Sequence, residues 1–72
     1  MLDRDLIGQN LIKLRGNRSQ AVVARDLKIS VSALGMYERG KRIPRDEIKI
    51  ALAKYYKTTV SDIFFSTKVH IL

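Results

Sequence analysis

Ser19 and Ser30 leave room between them for one short helix and almost nothing else. Each serine is suited to cap a helix, because its hydroxyl accepts a hydrogen bond from an orphan amide of the first turn. After Ser19, residues Val23, Ala24 and Leu27 fall on one helical face and Val22, Arg25 and Asp26 on the other. Only Lys28-Ile29 separates this helix from the next cap, so the connection is a tight turn. After Ser30, residues Ala33, Leu34 and Tyr37 share one side of a second short helix, and Gly40 supplies the stop. Small Ala24 permits the close crossing that so short a link demands.

The other side of the second helix carries Val31, Ser32, Gly35, Met36 and Arg39, with Lys41-Arg42 just beyond it. Small and apolar groups that run into cations are odd for a solvated face. They suit a face pressed against something grooved and negative, such as duplex DNA. Two helices joined by a short turn, the second with a contact face, describe a helix-turn-helix.

The flanking segments predict three more helices. From Asp3 to Arg15, apolar Ile7, Leu11 and Leu14 recur at helical spacing, and Asp3 and Asp5 suit the positive end of the dipole. Gly8 inside that pattern costs about 1 kcal/mol against Ala, which implies a close packing contact at that point. Gly16-Asn17 ends the helix. After Pro44, Asp46 and Glu47 open a helix running to about Tyr56, with Ile48, Leu52 and Tyr55 or Tyr56 inward. Thr59-Val-Ser-Asp62 resembles a capping box before Ile63, Phe64 and Phe65. The β-branched tail, 66–72, reads as a dimerisation strand or as disorder. Residues 1–65 are thus expected to form one all-α domain of five short helices, with the helix-turn-helix at about 19–39.

Seventy-two residues are near the lower limit for a self-sufficient core, and there is no cysteine to form a disulfide or thiolate metal site. A homodimer would bury further apolar surface. Net charge is +7 with a pI near 10.2, which favours polyanions, nucleic acid before membrane. No apolar run approaches the roughly 18 residues of a membrane span and no signal-peptide pattern is present, so a cytoplasmic protein is expected.

Several separated motifs carry a family resemblance: Ile7-Gly8, Leu14-Arg15, Ser19-Gln20, Val23-Ala24, Tyr37-Glu38-Arg39-Gly40-Lys41 before Pro44, Leu52-Ala53-Lys54, and Thr59-Val60-Ser61-Asp62-Ile63. In order and spacing the chain resembles the lambda-repressor-like, or Xre-type, helix-turn-helix family, which includes phage repressors and Cro proteins. The resemblance implies a compact bundle of five short helices whose third helix enters the major groove, usually as a two-fold dimer on a palindromic operator. It implies base reading by Val31, Ser32 and Met36, and phosphate contacts from Gln20, Ser30, Arg39, Lys41 and Arg42, with Arg18 as a further candidate. It also implies that Arg15 and Glu38 form an ion pair locking helix 1 to helix 3. Three departures stand out. Lys28 replaces the usual turn glycine, so the turn holds a left-handed lysine or takes another shape. The loop from Arg15 to Ser19 is short, and the reading positions lack the Gln, Asn and Arg that form paired bonds to bases.

Val31 and Met36 would meet thymine methyls, or else be buried in the protein or a dimer contact. Ser32 would bond to a base or merely admit the groove. With so few hydrogen-bonding groups, DNA shape is expected to carry much of the discrimination. Spacing places Tyr55, Tyr56, Phe64 and Phe65 in a core or dimer interface rather than a stacking platform for single strands. Phe64, Phe65, Val69 and Ile71 are the dimer candidates. His70 has no neighbouring ligands, so no metal is expected; no cofactor or small-molecule ligand is evident, and no catalytic constellation supports an enzyme. The expected function is sequence-specific binding of double-stranded DNA by a dimeric transcriptional repressor from a prophage, mobile element or bacterial circuit. The alternative is a protein-interaction module, such as an antitoxin or antirepressor, on the same fold.

Overall fold

The computed structural model describes residues 3–65. They form α1 (Arg4–Arg15), α2 (Gln20–Leu27), α3 (Val31–Glu38), α4 (Asp46–Tyr55) and α5 (Val60–Phe64), with no strand among them. Each helix begins where the sequence offers an acceptor or a charge. The Asp3 carboxylate accepts from the amides of Asp5 and Leu6, Ser19 Oγ from Val22, Ser30 Oγ from Ala33 and Thr59 Oγ1 from Asp62. Only α4 lacks a capping side chain; Asp46 and Glu47 in its first turn meet the dipole instead.

The departure at Lys28 resolves in favour of a left-handed lysine, with φ 59° and ψ 40°. Its amide donates to Arg25 and that of Ile29 to Ala24, so the end of α2 is closed within two residues. Lys57 closes α4 in the same way at φ 57°, with the Thr58 amide donating to Ala53. A side chain in this conformation costs roughly 1–2 kcal/mol, which the bonds to the last carbonyls help to offset.

α3 packs against both α1 and α2, while α5 ties α4 back to α1. The centre is made by Leu11, Val23, Leu34, Leu52 and Ile63, all fully buried, with Ile7, Tyr37, Tyr56 and Phe64 around them. Asn10 ties α1 to α5: its Nδ2 donates to the Ile63 carbonyl at 3.0 Å. Gly8 marks the closest approach of α1 to α3. A Cβ there would collide with the Glu38 carbonyl oxygen and lie 2.9 Å from its carbon and 3.2 Å from the Tyr37 oxygen. The expected packing contact at Gly8 is therefore backbone against backbone.

The two C-terminal phenylalanines separate. Phe64 is 3% exposed in the monomer core, which corrects its assignment to a dimer surface, whereas Phe65 is 64% exposed. Val69 and Ile71 lie outside the described residues. Among the described residues no helix is long and apolar enough to cross a membrane, and no His, Cys, Asp or Glu group could hold a metal ion.

Candidate nucleic-acid interface

The phase of α3 decides what it can touch. Leu34 and Tyr37 are buried and Ala33 is half-buried, which fixes one side of the helix inward. Val31 is 46% exposed, Ser32 is exposed and Met36 is half-exposed. None of the three is packed inside the monomer. Gly35, on the same outward side, is nevertheless buried. What covers it is Arg39, one turn further along: a Cβ on Gly35 would lie 2.9 Å from Arg39 Nη1.

One carboxylate orients this helix. Glu38, with its side chain only 2% exposed, takes Arg15 Nε on Oε2 at 2.7 Å and Arg15 Nη2 on Oε1 at 3.1 Å. Oε1 also accepts from Gln20 Nε2 at 2.7 Å. The end of α3, the end of α1 and the start of α2 thus meet at one charge. The two-pronged geometry is the strong form of the arginine–carboxylate bond. The hydrogen bond to Glu38 raises the Arg15 pKa further, against the opposing effect of burial. Gln20 is therefore committed in part to this lock, with one N–H of its amide left over.

Arg18 points elsewhere. Its guanidinium lies 5.3 Å from the Tyr55 ring centroid and 5.5 Å from that of Tyr56, and its carbonyl accepts from Arg15 Nη1. The two tyrosines meet edge to face, with centroids 5.2 Å apart. Tyr55 donates from its hydroxyl to Asp26 Oδ2 at 2.8 Å, a bond that holds the Asp26 carboxyl below its usual range. Arg18 thus belongs to a cation–π contact that fastens the short loop after α1 to the end of α4. The Tyr56 hydroxyl is buried without a hydrogen-bond partner, and its pKa is pushed up to about 12 by burial and then by the charge of Glu38.

Three of the remaining basic side chains are occupied. Arg25 pairs with Asp26, Arg45 with Glu47 and Lys49 with Asp46. The side chains of Arg39, Lys41 and Arg42 have no hydrogen-bond or ion-pair partner among the described residues, and all three residues are exposed. Ser30 stands at the front of α3 with its oxygen accepting from Ala33, which leaves the hydroxyl proton for an outside acceptor. A hydroxyl donor at the front of α3 and three unpaired cations at its end thus flank its outward side, while Arg4, Lys13, Lys28, Lys54 and Lys57 elsewhere on the surface are likewise without a side-chain partner among the described residues.

Sequence reasoning did not foresee the Gln20–Glu38 bond, the stacking of Arg18, or the position of Arg39 over Gly35. Only the last left a signal in the sequence, the spacing of four between a glycine and an arginine on one helix.

A family model described as helix-turn-helix matches residues 10–63. A similar solved structure is the solution structure of the SOS-response transcriptional repressor LexA from Eubacterium rectale. It is 24% identical, with 97% of this chain and 79% of that one covered at a TM-score of 0.82. No curated protein matches the sequence.

Proposed function

The chain belongs to the helix-turn-helix family, of the Xre or lambda-repressor-like kind, and from that premise we propose that it is a repressor acting as a homodimer on a palindromic duplex site. α3 enters the major groove and α2 crosses the backbone above it. Val31 and Met36 meet thymine methyls and Ser32 offers a hydroxyl to a base edge. Ser30, Lys41 and Arg42 hold phosphates on either side, helped by the first-turn amides of α2 and the spare N–H of Gln20. Arg15 and Glu38 orient the helix and do not touch DNA. Phe65 is the remaining described candidate for the contact between two copies.

The observation that supports this most is the uncovered side of α3, with Val31 and Ser32 exposed between unpaired donors at both ends. A helix held by a buried carboxylate on one side and open on the other is positioned to be read against, not merely solvated. Repression then follows from occupancy: a dimer seated across a promoter site excludes other proteins from it.

The test is fluorescence anisotropy with selected and random duplexes across a range of salt concentration. Log affinity should fall linearly with log salt, by about 0.9 per phosphate contacted, and a selected site should bind at least about a thousandfold more tightly than random sequence. Absence of duplex binding, together with tight capture of a partner protein, would replace this proposal with the protein-interaction module.

A further inference from the structure

We propose that Arg39 is a base-reading residue, lying along the outer face of α3 to present its guanidinium to a guanine edge, and that Gly35 is what lets it lie there. This rests on the DNA-binding proposal above and reassigns Arg39 from the phosphate backbone to the floor of the groove.

Gly35 lacks a side chain and sits on the outward side of α3, yet it is buried. The three atoms nearest to a Cβ built on it all belong to Arg39: Nη1 at 2.9 Å, Cζ at 3.7 Å and Nη2 at 3.9 Å. Side chains on a helix lean toward its N-terminus, so a residue covers the turn before its own Cα. Arg39 does this over the one position that has no bulk to stop it. Its guanidinium therefore comes to rest on the face that also carries Val31, Ser32 and Met36. A phosphate contact would call for the opposite, an arginine extended away from the helix toward a flank.

The guanidinium has no acceptor among the described residues. Arg15 is tied to Glu38, Arg25 to Asp26 and Arg45 to Glu47, but the Arg39 side chain has no hydrogen bond or ion pair among the described residues. Its planar fork of donors matches the O6 and N7 of guanine, a match that Val31, Ser32 and Met36 cannot make. A glycine at the centre of the face also lowers the helix surface there, so the base edge can come close enough to meet a guanidinium lying flat.

Selection of bound duplexes from a random pool by the full chain, repeated for R39A, R39K and G35A, tests the proposal. The unmodified chain should require a G·C pair at one position of each half-site, by roughly 10- to 100-fold over the other pairs. R39A should erase that preference alone and leave the other positions unchanged, and R39K should restore only a small part of it. G35A places a methyl 2.9 Å from where Nη1 now lies, so the guanidinium has to shift, and the same preference should weaken several-fold while the melting temperature rises. Uniform loss of affinity in R39A, with a salt slope shallower by about one phosphate, would make Arg39 a backbone contact and overturn the inference with DNA binding intact. An unchanged guanine preference in G35A would overturn the role given to Gly35. Failure of the unmodified chain to bind any duplex would refute the underlying proposal before a variant is made.

Discussion

Gly8→Ala offers a test of the packing that aims α3, because its sign runs against helix propensity. An alanine in place of glycine inside a helix ordinarily stabilises it by about 1 kcal/mol. At position 8 the new methyl would overlap the Glu38 carbonyl oxygen and lie 2.9 Å from its carbon and 3.2 Å from the Tyr37 oxygen. These are backbone atoms at the end of α3, so no side-chain rotation relieves the overlap. α1 must withdraw by something on the order of 1 Å, across the contact that also brings Arg15 to Glu38. Overpacking of this kind costs typically 1–3 kcal/mol, and a rigid obstacle places the cost at the upper end. Subtracting the propensity gain leaves a net loss of about 2 kcal/mol. In a domain of this size each kcal/mol moves the melting temperature by about 4–8 °C, so a fall of roughly 8–16 °C is expected. Circular dichroism during heating, with urea midpoints at 25 °C, reads this directly. Gly35→Ala is the internal control: the three atoms nearest to its new methyl belong to the flexible end of Arg39, and it should gain about 0.5–1 kcal/mol. Equal stabilisation by both alanines would refute the close crossing of α1 and α3.

Glu38→Gln keeps the shape of the lock but leaves the largely buried Arg15 guanidinium without a counter-charge, and should cost about 2–3 kcal/mol by urea denaturation. Tyr56→Phe removes a buried hydroxyl that has no partner, so stability at pH 7 should be unchanged or up by about 1 kcal/mol. The same variant carries a pH signature. The folded phenol titrates near 12 against about 10 when unfolded, so its contribution is complete below pH 10 and is lost as pH rises from 10 through 12. Urea midpoints at pH 9 and pH 11 should fall less for Tyr56→Phe than for the unmodified chain. Tyr55→Phe removes the hydrogen bond that holds the Asp26 carboxyl down, so carboxyl NMR titration should show Asp26 moving back up toward its ordinary range.

What was legible in the sequence is local. A serine before an apolar repeat caps a helix because the orphan amides are within reach of its own side chain. Ser19, Ser30 and Thr59 therefore mark the helix starts whatever lies around them. The turn at Lys28 was half legible: its length forced a tight closure, and only the surrounding packing settles that a lysine takes the left-handed conformation. Phe64 and Phe65 show where the pattern fails. α5 spans only Val60–Phe64, too short for periodicity to tell two adjacent rings apart, and its packing against α4 and α1 selects Phe64 for the core.

The residues least legible are those with long stems, and the reason is physical. Gln20, Arg18 and Arg39 each have a fixed root but a head that can settle several ångströms away, where a distant element decides its partner. Glu38 draws the amide of Gln20, the tyrosines of α4 draw Arg18, and the bare surface at Gly35 admits Arg39. A face judged by the side chains rooted on it looks poor in donors here, since Val31, Ser32 and Met36 offer a single hydroxyl. Judged by what can reach it, the same face includes a guanidinium from the following turn. Gly35 on the outward side of α3 is thus a place for the side chain four residues on rather than an empty position.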